Sequence, residues 1–420
     1  MRVRLPFFGT SRWGAILVFL VLRSLHAFSA TYQVLYSFTG GEDGGGLYAS
    51  VILDKQGNLY SIAQGDGPNG FGTVFKLVRG PNQDWSLKTL HAFGNDQNGS
   101  IPMGNLLRDS NHNLYGTTWQ GGAHNAGAIF ELSPAPGSWV ETVLYSPGDN
   151  PDDGGPPSTG VVMDRTGNLY GATAFGGPNG AGGTIYQLVP GPTGWTENVL
   201  YGFCGQPLCS DGNYPSSGLL LDAKGSLYGT TGRGGNDVGY GVVFKLRALP
   251  DGTWKFRVLH RFAAFNGDGK IPSGALARDS AGNLYGTTGQ GGCYICYGTV
   301  GCGTIYRLTT QPNGHWKETI LYDFRQNKKG NGPTGVVLDA AGNLYGTTSF
   351  GGAGSCDCGV VYKLAPNPDG TWTYSVLHSF TGDDGFFPAA NLVFDDNGNL
   401  YGTTVLGGPG GAGVVFKLTP

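Results

Sequence analysis

The chain has 420 residues, 77 of them glycine, a net charge of −3, and 13% charged against 12% aromatic residues. Glycine without a triplet period excludes collagen, and apolar strands alternating between the glycines exclude a disordered chain. The mildly acidic balance gives no footing for a nucleic-acid partner.

The first thirty residues differ from the rest. Arg2, Arg4 and Arg12 precede an apolar run from Trp13 to Leu22, and Ala27-Phe28-Ser29-Ala30 follows. This is the layout of a secretory signal peptide, with cleavage after Ser29 or Ala30. The run is too short to anchor in a bilayer, and no later segment reaches spanning length. Residues 1–30 hold four arginines and no acid, so their removal takes the net charge from −3 to −7. Residues 31–420 are expected to form a single domain that is secreted or periplasmic.

Beyond the leader, Gly-Asn-Leu-Tyr-Gly-Thr-Thr or a close variant occurs seven times, with tyrosines at 60, 115, 170, 228, 285, 345 and 401. A sustained period of 55 to 60 residues means a solenoid, propeller or array. The third unit shows the content of each. Trp139 to Tyr145 reads as a strand and Gly160 to Asp164 as a short apolar one. Arg165-Thr166-Gly167 is a turn, and Asn168 to Thr173 and Gly183 to Leu188 are two further strands. Four short strands with turn residues between them predict an antiparallel blade. Such a unit cannot bury both faces alone, and radial stacking solves this. The expected fold is all-β: a seven-bladed β-propeller of four-stranded antiparallel blades. The last unit lacks a tryptophan strand, and Tyr32 to Phe38 ends in the same Leu-[Tyr/His]-x-Phe pattern as Leu90 to Phe93. The N-terminal strand is therefore expected to complete the last blade, which removes an exposed edge.

Most repeated residues have structural explanations. Asp54, Asp109, Asp164, Asp222, Asp279, Asp339 and Asp395 end the apolar strands, where a short carboxylate accepts amides of its own turn. Trp85, Trp139, Trp195, Trp254, Trp316 and Trp372 read as packing anchors. His91, His260 and His378 interchange with tyrosine, which argues for packing. A second acidic set, Asp43, Asp96, Asp153, Asp211, Asp268 and Asp384, with Asn331 in the sixth place, precedes the apolar strands. Asn266-Gly-Asp-Gly269 and the stretch Asp149 to Asp153 partly resemble calcium loops. None has the closing bidentate glutamate, so turn chemistry is expected, calcium is the alternative, and no metal ligands or cofactor are assigned.

Seven cysteines, Cys204, Cys209, Cys293, Cys296, Cys302, Cys356 and Cys358, occupy loops of three neighbouring units. In an exported protein they are disulfide candidates. Cys204 and Cys209 could close a local loop, and the others could link adjacent blades; connectivity cannot be read from spacing, and one thiol is left over. A zinc site is the alternative, although the spacing fits no common pattern.

The unit Phe…Asp-Gly…Pro…Leu…Asp-x-x-Gly-Asn-Leu-Tyr-Gly-Thr-Thr…Gly-Gly…Gly-x-Val-Phe-x-Leu, seen from Asp268 to Tyr306 and from Asp384 to Leu418, resembles the bacterial "GloVer" tandem repeat of choice-of-anchor proteins. The resemblance implies a secreted or surface-displayed repeat protein and no particular activity. Members often carry a C-terminal anchor; nothing follows Pro420, so free secretion or periplasmic residence is expected.

Function should sit where the repeats differ, just after the Gly-Thr-Thr strand. There the chain reads Trp119-Gln120, Ala174-Phe175, Gly232-Arg233, Gly289-Gln290, Ser349-Phe350 and Val405-Leu406, with His124 in a neighbouring loop. Aromatic faces stack on sugars or peptides, and amides and arginine fix hydroxyls or backbone. Trp119, Gln120, His124, Phe175, Arg233, Gln290 and Phe350 are thus the candidate binding residues. The expected protein is a monomeric, non-catalytic module for an extracellular glycan, peptide or envelope component. The alternative is a secreted propeller enzyme, a hydrolase, lyase or metal-dependent lactonase with its site at the channel mouth. No nucleophile elbow, His-x-x-x-His or phosphate loop supports that alternative, and no catalytic residue is assigned.

Overall fold

The computed structural model describes residues 30–420 apart from 83, 95, 149, 181, 237–238, 264–266, 293–294, 297–298 and 326–328, and without the side chains of 295, 296, 299 and 300. All of the expected leader except Ala30 lies outside the described residues, as do Asp149 and Asn266 of the calcium-like stretches.

Seven four-stranded antiparallel sheets form the seven blades of a propeller. In the second blade Ser100–Arg108, Leu114–Gln120, Ala128–Ala135 and Ser138–Tyr145 pair in chain order. The tryptophan strand thus closes a blade instead of opening one. Ala135 faces Ser138 across the two-residue Pro136-Gly137 turn, and so short a connection holds the strand to its predecessor. The fourth blade's first strand is split into Asn213–Pro215 and Leu220–Leu221. A single 3-10 turn, Pro207–Cys209, is the helical content among the described residues.

The ring closes as the sequence implies. Thr31–Ser37 pairs antiparallel with Val414–Thr419, from Thr31 opposite Thr419 to Ser37 opposite Val414, as the outermost strand of the seventh blade. The core lies between blades. One cluster joins Leu35, Phe38 and Val415 of the last blade to Leu59, Phe75 and Leu77 of the first. Phe38, Phe93, Phe203, Phe262, Phe324 and Phe380, the last residue of the Leu-[Tyr/His]-x-Phe pattern, are fully buried. Each contributes roughly 2 to 3 kcal/mol of burial.

The repeated phrase is explained by bonds. In all seven turns the aspartate accepts the motif tyrosine hydroxyl at 2.9–3.2 Å. In six, the motif asparagine donates its side-chain amide to the same carboxylate oxygen. Burial works against the charge of Asp279, but these bonds outweigh it and its pKa is lowered. Burial pushes Tyr115 and Tyr170 up to about 12, helped by the Glu131 and Asp109 carboxylates at Tyr115 and by Asp164 at Tyr170. The lysine of Val-Phe-Lys-Leu covers the tyrosine ring, as Lys245 does over Tyr228 at 4.9 Å.

The first threonine of Gly-Thr-Thr ties blades together around the axis. Thr117 donates to the Thr159 carbonyl at 3.0 Å and Thr403 to the Ala49 carbonyl at 3.0 Å. Ser50, Ser158 and Ser273 donate to Asn391, Pro215 and Pro333 of neighbouring blades at 2.7–2.8 Å. Small residues permit this approach: a Cβ on Gly104 would sit 2.0 Å from the Gly160 nitrogen. The axial channel is lined by residues such as Asn105, Thr159, Ser217 and Asn391, with a cavity of about 230 Å³.

Candidate functional site: a variable face and seven blade boundaries

The strand order puts the Asp-Asn-Tyr turns at one end of the channel and the variable loops at the other. At the variable end, the residue before the inner-strand proline pairs with the variable residue after Gly-Thr-Thr. Asn213 and Pro215 face Arg233 and Thr231, so Tyr214 stands opposite Gly232. The corresponding residues are Ile101, Tyr214, Ile271 and Phe387, all with left-handed backbone, φ 55° to 62°. The same place in the first and sixth blades is glycine, Gly46 and Gly332, at φ 68° and 63°. A left-handed conformation costs an ordinary residue about 1 to 2 kcal/mol, and for β-branched or bulky side chains it is an outlier. Such strain collects at functional sites.

Two of these residues, Tyr214 and Phe387, pack against variable side chains. Phe175 packs edge-on against Tyr214 at 5.1 Å and against Trp119 at 6.3 Å. The Arg233 guanidinium lies over the Tyr214 ring at 5.6 Å. Trp119, Phe175, Tyr214 and Arg233 thus make an arc over the second, third and fourth blades, with Phe175 44% exposed. Phe350, 38% exposed, meets Phe387 edge-on at 5.3 Å on the other side of the ring. Gln120 and Gln290 flank these groups, paired with Ser100 and Lys270. His124 is exposed in the loop before Ala128, packed over Gly148. Tyr48, 49% exposed, lines the channel where other blades carry small residues. The repeat alignment gives no sign of Tyr214, Ile271 or Phe387, because nothing in a Gly-x-x-Pro stretch announces a positive φ.

Disulfides lie on the same face. Cys204 bonds Cys209, and Cys356 bonds Cys358. The second replaces the blade-to-blade bridge anticipated for Cys356 and Cys358; with one residue between them, the two thiols meet within their own loop. Cys302 is also disulfide-bonded. Cys293 and the side chain of Cys296 lie outside the described residues.

Each blade boundary is crossed by one repeated contact. The Tyr or His of Leu-[Tyr/His]-x-Phe reaches the residue two after the tryptophan position of the next blade. Three boundaries are aromatic stacks: Tyr201 on Phe256 at 3.9 Å, Tyr322 on Tyr374 at 4.2 Å and His378 on Tyr32 at 3.7 Å. At the ring closure Tyr36 and Leu87 share one core. Three others carry glutamate: His91 with Glu141 at 3.4 Å, Tyr145 with Glu197 at 3.2 Å and His260 with Glu318 at 3.6 Å. The second acidic set supports the Tyr or His. Tyr145 donates to Asp153 and Tyr201 to Asp211, both at 2.7 Å, and His378 lies 2.9 Å from Asp384. The exchange of tyrosine and histidine is thus more than packing, since both present a polar edge to a carboxylate.

The glutamates have unusual surroundings. Burial and then the Asp153 carboxyl push Glu197 up to about 8. Burial and the Asp96 charge push Glu141 up to about 7. Burial also raises Glu318, against the pull of His260.

The fold and its repeat define a class: a propeller of repeated blades whose ring is closed by pairing Thr31–Ser37 with Val414–Thr419. The chain belongs to the Gloeobacter/Verrucomicrobia repeat family, whose model matches residues 7–161, 141–301 and 293–420. No curated protein matches it. Among solved structures, the extracellular domain of a proposed one-component system from B. thetaiotaomicron has a TM-score of 0.52 at 12% identity, covering 91% of this chain and 39% of that one. A proposed oxidoreductase (glucose dehydrogenase) of Thermus thermophilus has a TM-score of 0.42 at 16% identity, over 76% of this chain and 96% of that one. A luciferin-regenerating enzyme has 0.43 at 13%, over 93% and 95%. At 12% identity the first of these likenesses concerns the fold alone, which many functions share. No helix among the described residues is long and apolar enough to cross a membrane.

Proposed function

We propose that the protein is a secreted, non-catalytic binding propeller that holds an extracellular glycan or peptide across its variable face. The observation that carries the reading is the arc of Trp119, Phe175 and Tyr214 capped by Arg233, in which Tyr214 keeps a left-handed backbone at φ 62°. Glycine fills the same position in other blades, so the fold does not need a bulky residue there. Half-exposed rings offer flat apolar faces, and the guanidinium and the amides of Gln120 and Gln290 offer directional hydrogen bonds. Export is supported by the basic and apolar leader and by the disulfides, which persist in oxidising compartments.

The test is retention on immobilised glycans and peptides. Binding is expected to survive chelation and to weaken on Phe175→Ala or Phe350→Ala with thermal stability unchanged. Turnover of a bound polymer would replace this reading with the enzyme. Neither retention nor turnover would leave a structural envelope component.

A further inference from the structure

The boundary between the fourth and fifth blades differs from the other six. His260, Asp268 and Glu318 each offer one ligand atom there, and the three atoms lie within 4.8 Å of one another. His260 Nε2 is 3.5 Å from Asp268 Oδ1 and 3.6 Å from Glu318 Oε2. Both separations exceed the usual N–H···O range of about 2.7 to 3.2 Å, so the imidazole is well bonded to neither. The sixth blade supplies the control. There the same His-Asp pair faces Tyr32 instead of a glutamate, and His378 closes to 2.9 Å from Asp384. Adding a second carboxylate has left the ring suspended between two acceptors.

The remaining valences point the same way. Asp268 Oδ2 is taken by the Ala263 amide at 2.8 Å, which fixes the carboxylate and leaves Oδ1 facing the histidine. Glu318 Oε1 is buried without a hydrogen-bond partner. Side-chain exposures of 19%, 14% and 14% leave the group reachable from solvent and poorly hydrated. Ligand atoms about 2.0 to 2.1 Å from a tetrahedral ion lie roughly 3.3 to 3.4 Å apart, close to both observed spacings. The other two glutamate boundaries do not offer this set. Tyr145 stands in the histidine's place at one. At the other, His91 and Glu141 make a pair, and no third ligand joins them among the described residues.

We propose that His260, Asp268 and Glu318 form a binding site for a divalent transition cation, such as zinc, cobalt or manganese, that clamps the fourth and fifth blades together. One imidazole and two carboxylates suit these borderline ions better than calcium, which takes six or more oxygens. Two carboxylate charges balance the ion. Three protein ligands leave coordination positions for water at the partly exposed edge.

The test is titration of the metal-free full chain with Co²⁺ at neutral pH, followed by absorption, with competition by Zn²⁺. Saturable binding of one ion is expected, with d–d bands and no thiolate charge-transfer band. His260→Tyr copies the residue that the fold already accepts as Tyr145, so it should fold normally. It should weaken binding more than about 100-fold, since loss of mere outer partners costs about 10- to 100-fold. Glu318→Gln should act likewise, and His378→Tyr should leave binding unchanged. Three outcomes overturn the proposal: no binding at millimolar Co²⁺, unchanged affinity in folded His260→Tyr, or a spectrum dominated by thiolate ligation.

Discussion

The two ends of the channel obey different rules. At one end, seven aspartates sit in turns where the motif tyrosine, and in most blades the asparagine, is spent on the carboxylate. At the other, blades keep isoleucine, tyrosine or phenylalanine in a conformation that glycine fills without strain in the first and sixth. The first end is what repetition looks like when every copy serves folding. The second keeps bulky side chains where glycine stands in two other blades, and on the reading proposed above that difference separates scaffold from binding surface.

Substitutions can break or sharpen this contrast. The largest effect belongs to the scaffold: Phe38→Ala, in the closing strand's fully buried anchor, should destabilise by about 3 to 5 kcal/mol in denaturant unfolding. Asp279→Ala removes the acceptor of Asn283 and Tyr285 and should cost about 2 to 3 kcal/mol, measured the same way. Equal stability of that variant and wild type would undo the account of the repeated phrase.

A pH scan gives a third test. Glu197 is protonated more readily folded than unfolded, because burial and Asp153 raise it to about 8. The folded state therefore holds the extra proton, so this contribution is full below the ordinary glutamate pKa. It fades as pH rises through about 8. Glu197→Gln should flatten the fall in melting temperature over that window, and an unaltered profile would contradict the boundary electrostatics.

At the variable end effects on stability should be small. Phe175→Ala is expected to change stability by less than about 0.5 kcal/mol while reducing ligand retention. Smallest is Ile271→Asn, where asparagine tolerates the left-handed backbone: the melting temperature should hold or rise slightly while retention falls. A clear loss of stability in Ile271→Asn would mean that the isoleucine serves the fold.

The blade count and the closing strand were legible because each rests on local periodicity repeated seven times. The turn role of Asp54 and its equivalents was legible for the same reason. The blade boundary was not, since the tryptophan strand that reads as the start of a unit closes the blade before it. Tyr214, Ile271 and Phe387 were not, since their meaning depends on a dihedral angle. Glu318 was hidden differently. It lies two residues past Trp316 in a strand that reads as scaffold, and its partners are His260 of the preceding blade and Asp268 of the loop between the two blades. Cys356 and Cys358 show the limit of compartment arguments, which predict oxidation without choosing partners.

Ring closure also has a consequence in time. Thr31 pairs with Thr419, about 390 residues away. At ribosomal rates of about 5 to 20 residues per second, the first strand made waits roughly 20 to 80 s for its partner. Until then the seventh blade lacks an edge and the first lacks a neighbour. The opening strand suits that wait: its alternating exposure leaves only Leu35 buried, and Gln33 and Ser37 keep it partly polar. The seventh blade therefore cannot be completed, nor the ring closed, before Val414–Thr419 is made.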